Sequence, residues 1–402
     1  MVRKLTAIDL FAGAGGFSLA AHELGFDILA AVEFDSMAAE TYRTNLVERL
    51  GAETDVFNQD INEVDIRGFM KYRNIKPGEL DLLLGGPPCQ GFSTHRIKDT
   101  GASDPRNKLL MRYFDFVSEL RPKAFLVENV PGLLWKRHEK HLNKFMTLAK
   151  KHNYKVIGNA PIVLNAKDYG VPQNRKRVFI FAVREDLASQ DYCFPPEATH
   201  FSPSQKKVPH WKTSSSIFEP IPRSLYEKYW QDYFKVKTKL TKRECFDLLG
   251  GLEFGGVIAK DDPCNVHMQP TAKMVGRFND TPLNGSREDA GKKHELKCHS
   301  GDYKGHKDVY GRILIHLPSN TMTTGCNNPS KGRFVHPWRN HGITLRHAAR
   351  LQSFPDDYIF LGSTTEQARQ IGNAVPLNLG TALINNIKNS LLKISYFRQN
   401  VA

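Results

Sequence analysis

The first 34 residues alternate in an order that few folds accommodate. KLTAIDLF is a short apolar run, AGAGG a glycine loop, FSLAAHELG a helix ending on Gly25, and FDILAAVEF a second apolar run. Strand, tight loop, helix and strand in that order open a parallel α/β sheet. DSMAAETYRTNL continues as helix and ELDLLLGG as a buried strand. NKLLMRYFDFVSEL follows as a helix with Leu109, Leu110, Tyr113, Phe114, Val117 and Leu120 on one side. AFLVENV reads as a strand, HLNKFMTLAKKH as a helix, and KVIGNAPIVLNA and KRVFIFAVRE as two further strands. The expected fold class is α/β, a doubly wound and mostly parallel sheet with a smaller irregular domain.

The alternation stops after residue 187. CFPPEATHFSPSQKKVPHWKTSSS is rich in proline, serine and lysine and marks a boundary. A basic, glycine-rich and irregular region then runs to about residue 340. Helical character returns in TLRHAARL (344–351), and a closing helix begins near Asn378. The expected domains are a catalytic and cofactor-binding one over 1–187, completed by 366–402, and a target-recognition domain with its hinge over 188–365.

Net charge is +14, from 56 basic and 42 acidic side chains, which favours a polyanionic partner over a small neutral substrate. Residues 188–340 carry 23 Lys and Arg against 16 Asp and Glu, half of the excess. Six scattered cysteines argue against a disulfide framework. Cys264-x-x-His267 with His294, Cys298 and His299 fits no zinc template, so no metal is expected. Met1-Val2-Arg3-Lys4 does not open a secretory signal and no apolar run reaches membrane-spanning length, so the expectation is an intracellular protein.

DLFAGAGG puts glycines at the carboxyl end of the first strand, where open α/β sheets bind nucleotides. Gly13, Gly15 and Gly16 lack the dinucleotide spacing. Glu33 lies 20 residues after Gly13, at the end of the second strand, where a carboxylate can bind ribose hydroxyls. This suggests an adenosine-containing cofactor without a pyrophosphate, and equally fits a tight turn with an exposed glutamate. Cys89 follows ELDLLLGG, so it reaches the same edge, and Pro87 and Pro88 fix the backbone before it. It reads as a nucleophile ahead of a loop able to close, or as an inert cysteine in a turn. Glu128 brings a carboxylate to that edge, to share a proton with a base nitrogen or to bond a neighbouring loop. Arg175 and Arg177 alternate onto one face of a strand start. They can orient Glu128, bind a carbonyl oxygen, or form a solvated basic edge. A thiol, a carboxylate and an arginine pair beside a nucleoside site match what methylation at C5 of cytosine requires: addition of thiolate at C6 while N3 gains a proton makes C5 nucleophilic.

In order along the chain, DLFAGAGGFS, GGPPCQGFS, ENV, QNRKRVFI, RLQSFPDDY (350–358) and QIGNAVP (370–376) resemble six motifs of the bacterial-type DNA (cytosine-5) methyltransferase family of restriction–modification systems. The resemblance implies a Rossmann-like methyltransferase domain, S-adenosylmethionine as cofactor and double-stranded DNA as substrate. It implies that Cys89 attacks C6, that Glu128 contacts N3 and the exocyclic amine, and that Arg175 and Arg177 support Glu128 and the cytosine O2. Cofactor contacts would be Phe11, Gly13, Gly15, Gly16, Glu33, Asp60, Ile61, Pro87 and Asn373. Ser93 and Arg106 would touch DNA around a cytosine turned out of the helix, with DNA lying between the two domains. Residues 310–337 resemble the family's recognition core, with Arg312, Thr323, Asn327 and Lys331 as base or phosphate contacts or as framework residues. Residues 188 to about 305 resemble nothing that aligns. The implied setting is a monomer in the bacterial cytoplasm, held to the nucleoid through DNA, protecting host DNA beside a restriction endonuclease with which it forms no stable complex.

Three other functions remain on the sequence alone. A transfer-RNA methyltransferase shares the apparatus, but Gly91 after Gln90 and the long basic insertion lean toward DNA. An amino-group methyltransferase usually has an aromatic residue where this chain has Cys89. A catalytically dead regulator would have lost Cys89, Glu128 or the glycine loop.

Overall fold

The structure, a computed structural model, describes residues 3–88, 108–158, 160–188, 192–296 and 308–401, with side chains to residue 393. It divides into two compact units. The first comprises Met1–Tyr169, Lys176–Ala198 and Leu377–Ala402, and the second Gly170–Arg175 and Thr199–Pro376. The boundary drawn in sequence at 188 thus falls at 199. Residues 366–376, grouped in sequence with the closing helix, lie in the second unit.

The first unit is built on one eight-stranded sheet. Its strands are β1 (Thr6–Leu10), β2 (Asp27–Glu33), β3 (Asp55–Asn58), β4 (Leu82–Gly85), β5 (Ala124–Asn129), β6 (Tyr154–Val156), β7 (Ile162–Asn165) and β8 (Lys176–Arg184), in the order β3-β2-β1-β4-β5-β8-β6, with β7 also paired to β8. β1 to β5 run parallel; β8 is antiparallel to β5, β6 and β7. β4 and β5 are buried throughout, as strands covered on both faces must be. The chain leaves β1 toward β2 on one side and returns with β4 on the other, so a crevice opens at the carboxyl ends of β1 and β4. The run KVIGNAPIVLNA, read in sequence as one strand, is two: Gly158, at φ 77°, breaks it between β6 and β7.

Helices α1 (Gly16–Glu23), α2 (Ser36–Tyr42), α3 (Ile66–Tyr72), α4 (Lys108–Leu120) and α5 (Glu139–Lys151) connect the strands. A π-helical turn, Arg43–Arg49, extends α2. α4 has a wide apolar face, and its Phe114 meets Phe125 of β5 and Phe145 of α5 edge-on, with ring centroids 6.5 and 5.5 Å apart. Each fully buried ring contributes roughly 1.5–3 kcal/mol. The Tyr113 hydroxyl donates to the Leu83 carbonyl at 3.0 Å, which satisfies its polar end inside that core.

The second unit holds α6 (Tyr226–Tyr229), which runs into a π-helical segment (Trp230–Thr238), then α7 (Lys242–Gly250), α8 (Ala272–Asp280), α9 (Leu345–Leu351) and α10 (Thr364–Asn373). The region read as irregular therefore contains a helical pair around its own small core of Ile221, Tyr229, Phe234, Cys245, Leu249, Leu283 and Ile315. Thr241, Thr344 and Ser363 close capping boxes at α7, α9 and α10. The final helix, α11 (Leu377–Val401), belongs to the first unit, where Lys388 Nζ donates to the Leu24 carbonyl after α1 at 2.7 Å. Among the described residues no helix is long and apolar enough to cross a membrane.

Candidate active site

Three residues in five after β1 take left-handed backbone: Phe11 at φ 59°, Gly13 at 56° and Gly15 at 86°. Glycine is at ease there, while Phe11 holds strain of about 1–2 kcal/mol. Gly15 N-caps α1 and Gly16 is its first residue. The loop is tied to β2 by Ala12 N–H donating to Val32 O at 3.0 Å. Gly13 N–H donates to Glu33 Oε2 and Asp35 N–H to Glu33 Oε1, both at 2.8 Å. Burial pushes the Glu33 carboxyl up, and the two N–H groups pull it back down. The spacing noted between Gly13 and Glu33 is therefore a direct bond in the fold. Asp9, fully buried at the end of β1, is pushed up to about 7 by desolvation, against a 2.7 Å bond from Ser18 Oγ.

A Cβ placed on Gly13 would meet nothing within 4 Å, so there is open space over the loop. Beside Glu33, Phe34 is 75% exposed. A large aromatic face left in solvent next to a positioned carboxylate offers a stacking surface for a planar base. Sequence reasoning passed over it, although the pair Glu33-Phe34 at a strand end was its signal. Asp60 N-caps the turn Ile61–Glu63 and accepts from Asn62 N–H at 2.9 Å. The Ile61 side chain is in the core, and its carbonyl accepts from Arg112 Nε at 3.0 Å. A carboxylate for a ribose, an aromatic face for adenine and an uncrowded glycine backbone together suit an adenosine-bearing cofactor.

β4 ends on Gly85, and the turn Gly86-Pro87-Pro88 carries the chain toward Cys89. Pro87 is buried, and its carbonyl accepts from Asn129 Nδ2 at 3.3 Å. A Cβ on Gly86 would lie 3.3 Å from Glu128 Oε2, so the glycine lets the turn lie against that carboxylate. Glu128 in turn pairs with Arg177, Nε to Oε1 at 2.9 Å, both side chains less than 15% exposed. Antiparallel pairing makes this possible: β8 opposes Phe179 to Glu128, so the start of β8 reaches the carboxyl end of β5. Cys89, Ser93 and Arg106 lie outside the described residues.

Arg175 does not join this pair. It is buried in the second unit, where Nη1 donates to Met322 O at 2.8 Å and Nη2 to the carbonyls of Gly372 and Ala374 at 2.9 and 3.1 Å. Gln173 works beside it, donating to Leu351 O and Gln352 Oε1 and accepting from Met322 N–H. These two residues fasten the loop around Met322 to the ends of α9 and α10. The Q-x-R-x-R motif is thus split, with its first two polar residues serving the scaffold and Arg177 serving the carboxylate.

Arg312 is likewise corrected. It is 3% exposed and donates to the carbonyls of Phe278, Thr281, His336 and Arg339 and to Asn340 Oδ1, leaving no face for a base. Thr323 and Asn327 are partly buried, with Asn327 Nδ2 donating to Thr364 O at 3.4 Å, and Lys331 is exposed. Asn373 ends α10 with an exposed side chain in the second unit.

The second unit also gathers ligand atoms of Glu219, His336 and His347 within 4.8 Å of one another. Both rings accept backbone N–H bonds at Nδ1, from Arg339 at 3.1 Å for His336 and from Thr344 at 3.2 Å for His347. Each neutral ring then carries its proton on Nε2. Both Nε2 atoms are buried and have no hydrogen-bond partner among the described residues.

A family model for C-5 cytosine-specific DNA methylases matches residues 5–389. The chain is 30% identical over 96% of its length to the Type II methyltransferase M.AgeI of Thalassovita gelatinovora, covering 99% of that protein. It is 31% identical over 99% of its length to M.DdeI of Desulfomicrobium norvegicum, covering 90% of it. Among solved structures, an E. coli prophage-encoded protein described as a DNA modification methyltransferase superposes with a TM-score of 0.67 at 25% identity, covering 97% of this chain and 100% of that one. A DNMT2 variant of Spodoptera frugiperda shares the fold at a TM-score of 0.55 and 18% identity, over 96% of this chain and 100% of that one.

Proposed function

This chain belongs to the C-5 cytosine-specific DNA methylase family and is a DNA cytosine-5 methyltransferase of the restriction–modification type; from that premise we propose that it methylates C5 of a cytosine turned out of a short specific sequence in double-stranded DNA. The observation that carries the reading is the Arg177–Glu128 pair at 2.9 Å, with the Gly86-Pro87 turn that leads to Cys89 lying against it.

In this mechanism the Cys89 thiolate adds to C6 and the ring's electron pair shifts toward N3. Glu128 holds N3 and the exocyclic amine by hydrogen bonds and stabilises the protonated N3. Arg177 fixes Glu128 and presents N–H groups to the cytosine O2. Phe11, the Gly13, Gly15 and Gly16 backbone, Glu33, Phe34, Asp60, Ile61 and Pro87 would hold S-adenosylmethionine, which when bound would supply the electrophilic methyl group to C5 and leave as S-adenosylhomocysteine. Loss of the C5 proton and of the proton taken up at N3, with expulsion of the Cys89 sulfur as thiolate, then restores the aromatic ring. Ser93 and Arg106 contact the DNA around the extruded nucleotide, and Thr323, Asn327 and Lys331 face bases or phosphates. The enzyme acts as a monomer on nucleoid DNA in the cytoplasm and shields its sites from a restriction endonuclease of the same specificity.

Duplexes carrying 5-fluorocytosine test the covalent step, because fluorine cannot leave C5 as the proton does. Wild-type protein with S-adenosylmethionine should give a denaturant-stable protein–DNA adduct, and Cys89→Ala none. An adduct that persists in Cys89→Ala removes the proposed nucleophile.

A further inference from the structure

The segment Lys235–Arg243, KVKTKLTKR, sets five cations in nine residues with no acidic residue among them. It joins the π-helical segment to α7 in the second unit, and Lys235, Lys237, Lys239, Lys242 and Arg243 are all exposed. The turn is held firmly. Phe234 is buried in the small core before it and Cys245 after it, Leu240 N–H donates to Phe234 O at 3.1 Å, and Trp230 Nε1 donates to Leu240 O at 3.2 Å. The charges therefore project from a rigid platform.

Their partners bind them weakly. Lys237 meets the half-buried Asp289 at 3.0 Å, Arg243 lies 3.9 Å from Asp247, and Lys242 pairs with Glu227; the cations themselves are exposed, and ion pairs at a surface are worth about 0–1 kcal/mol and readily exchanged for another anion. Lys235 and Lys239 have no carboxylate partner among the described residues. Lys235 Nζ stands 5.2 Å from the centre of the Trp230 ring and Lys242 Nζ 5.8 Å. Glu244, the nearest acid along the chain, spends its carboxylate on Thr241 N–H and Oγ1 in the α7 cap. Lys239 caps the π-helical segment in left-handed backbone at φ 60°. Glycine or asparagine ordinarily fills such a position, and lysine there costs roughly 1 kcal/mol. A cation at this C-terminal end gains at most about 0.3–1 kcal/mol from the helix dipole, no more than the left-handed backbone costs, so its charge is better explained by an external polyanion.

We propose that this basic turn is a docking surface for the phosphodiester backbone of duplex DNA, contributing affinity and register and reading no bases. The proposal rests on the reading of the chain as a DNA methyltransferase and extends it to a stretch that resembles no family motif. Such contacts release counterions, so log affinity falls linearly with log salt, by about 0.9 in slope per phosphate neutralised.

The test is the salt dependence of binding to a labelled mixed-sequence duplex, measured for the full chain. Lys235→Gln/Lys239→Gln should flatten the slope by about two. Lys150→Gln/Lys151→Gln, the same charge change at the end of α5, should leave it at the wild-type value. Lys239→Gly should melt no lower than wild type, since it relieves the left-handed strain, yet lose about 0.9 in slope. Equal losses in the two double variants, or an unchanged slope in Lys235→Gln/Lys239→Gln, overturn the proposal while leaving the methyltransferase reading intact. Wild-type protein that binds no duplex at any salt overturns both.

Discussion

Arginines do opposite work at the sheet edge and in the core of the second unit. Arg177 lies against a single carboxylate, Glu128, at the carboxyl end of β5. Arg175 and Arg312 distribute their N–H groups over carbonyls from chain segments far apart in sequence. A carbonyl has no proton to exchange and no charge to tune, so an arginine surrounded by carbonyls is a clamp. An arginine that fixes one carboxylate beside an open turn keeps that carboxylate's orientation and charge available to a substrate. Burial alone does not separate chemistry from scaffolding; the partner does.

The comparison is sharpened most by Glu128→Gln, which keeps the shape and removes the charge. It should lower kcat/KM by about a thousandfold, within the range of general acid–base groups, with little change in urea midpoint. Arg312→Met should do the reverse. Five acceptors lose their donor, so the second unit should lose about 3–5 kcal/mol in denaturant unfolding, while protein that remains folded still methylates. Loss of turnover without loss of stability in Arg312→Met would break the distinction.

Smaller effects come from histidines of the second unit. Burial holds His316 down at about 4, and His336 and His347 well below the ordinary imidazole range. The unfolded chain binds protons below about pH 6.5 that these rings refuse. Their contribution is therefore complete above that pH and is lost as pH falls, by up to about 1 kcal/mol per ring per pH unit. Unfolding measured from pH 7 to 5 should show this slope, and His316→Phe should reduce it. A flat profile contradicts the assignment. Smallest of all, Phe34→Ala should weaken S-adenosylmethionine binding about tenfold by calorimetry, the loss of one stacking face.

Much of the first unit was legible because a parallel sheet writes itself in continuous apolar runs and glycine loops. The Gly13–Glu33 bond follows from a 20-residue spacing between adjacent strand ends, and the Glu128–Arg177 pair from two motifs at one sheet edge. β3 and α3 escaped because DVFN is four residues and the helix after it only seven. The helical pair of the second unit was readable in principle. Tyr226, Tyr229, Trp230, Tyr233 and Phe234 recur at helical spacing, but proline-rich and lysine-rich flanks masked the period. The roles of Arg175 and Arg312 were not readable. Their partners lie as far as 199 residues away and, apart from Asn340 Oδ1, are main-chain carbonyls, which leave no trace in side-chain pattern.

Base-resolved cytosine methylation sequencing of plasmid DNA tests the central claim most directly, using a methylation-free bacterial host that expresses either the wild-type chain or Cys89→Ala. The account predicts complete 5-methylcytosine at one short sequence motif with the wild type and none with the variant. Unmodified DNA in the presence of soluble wild-type protein, or methylation that survives Cys89→Ala, would contradict it.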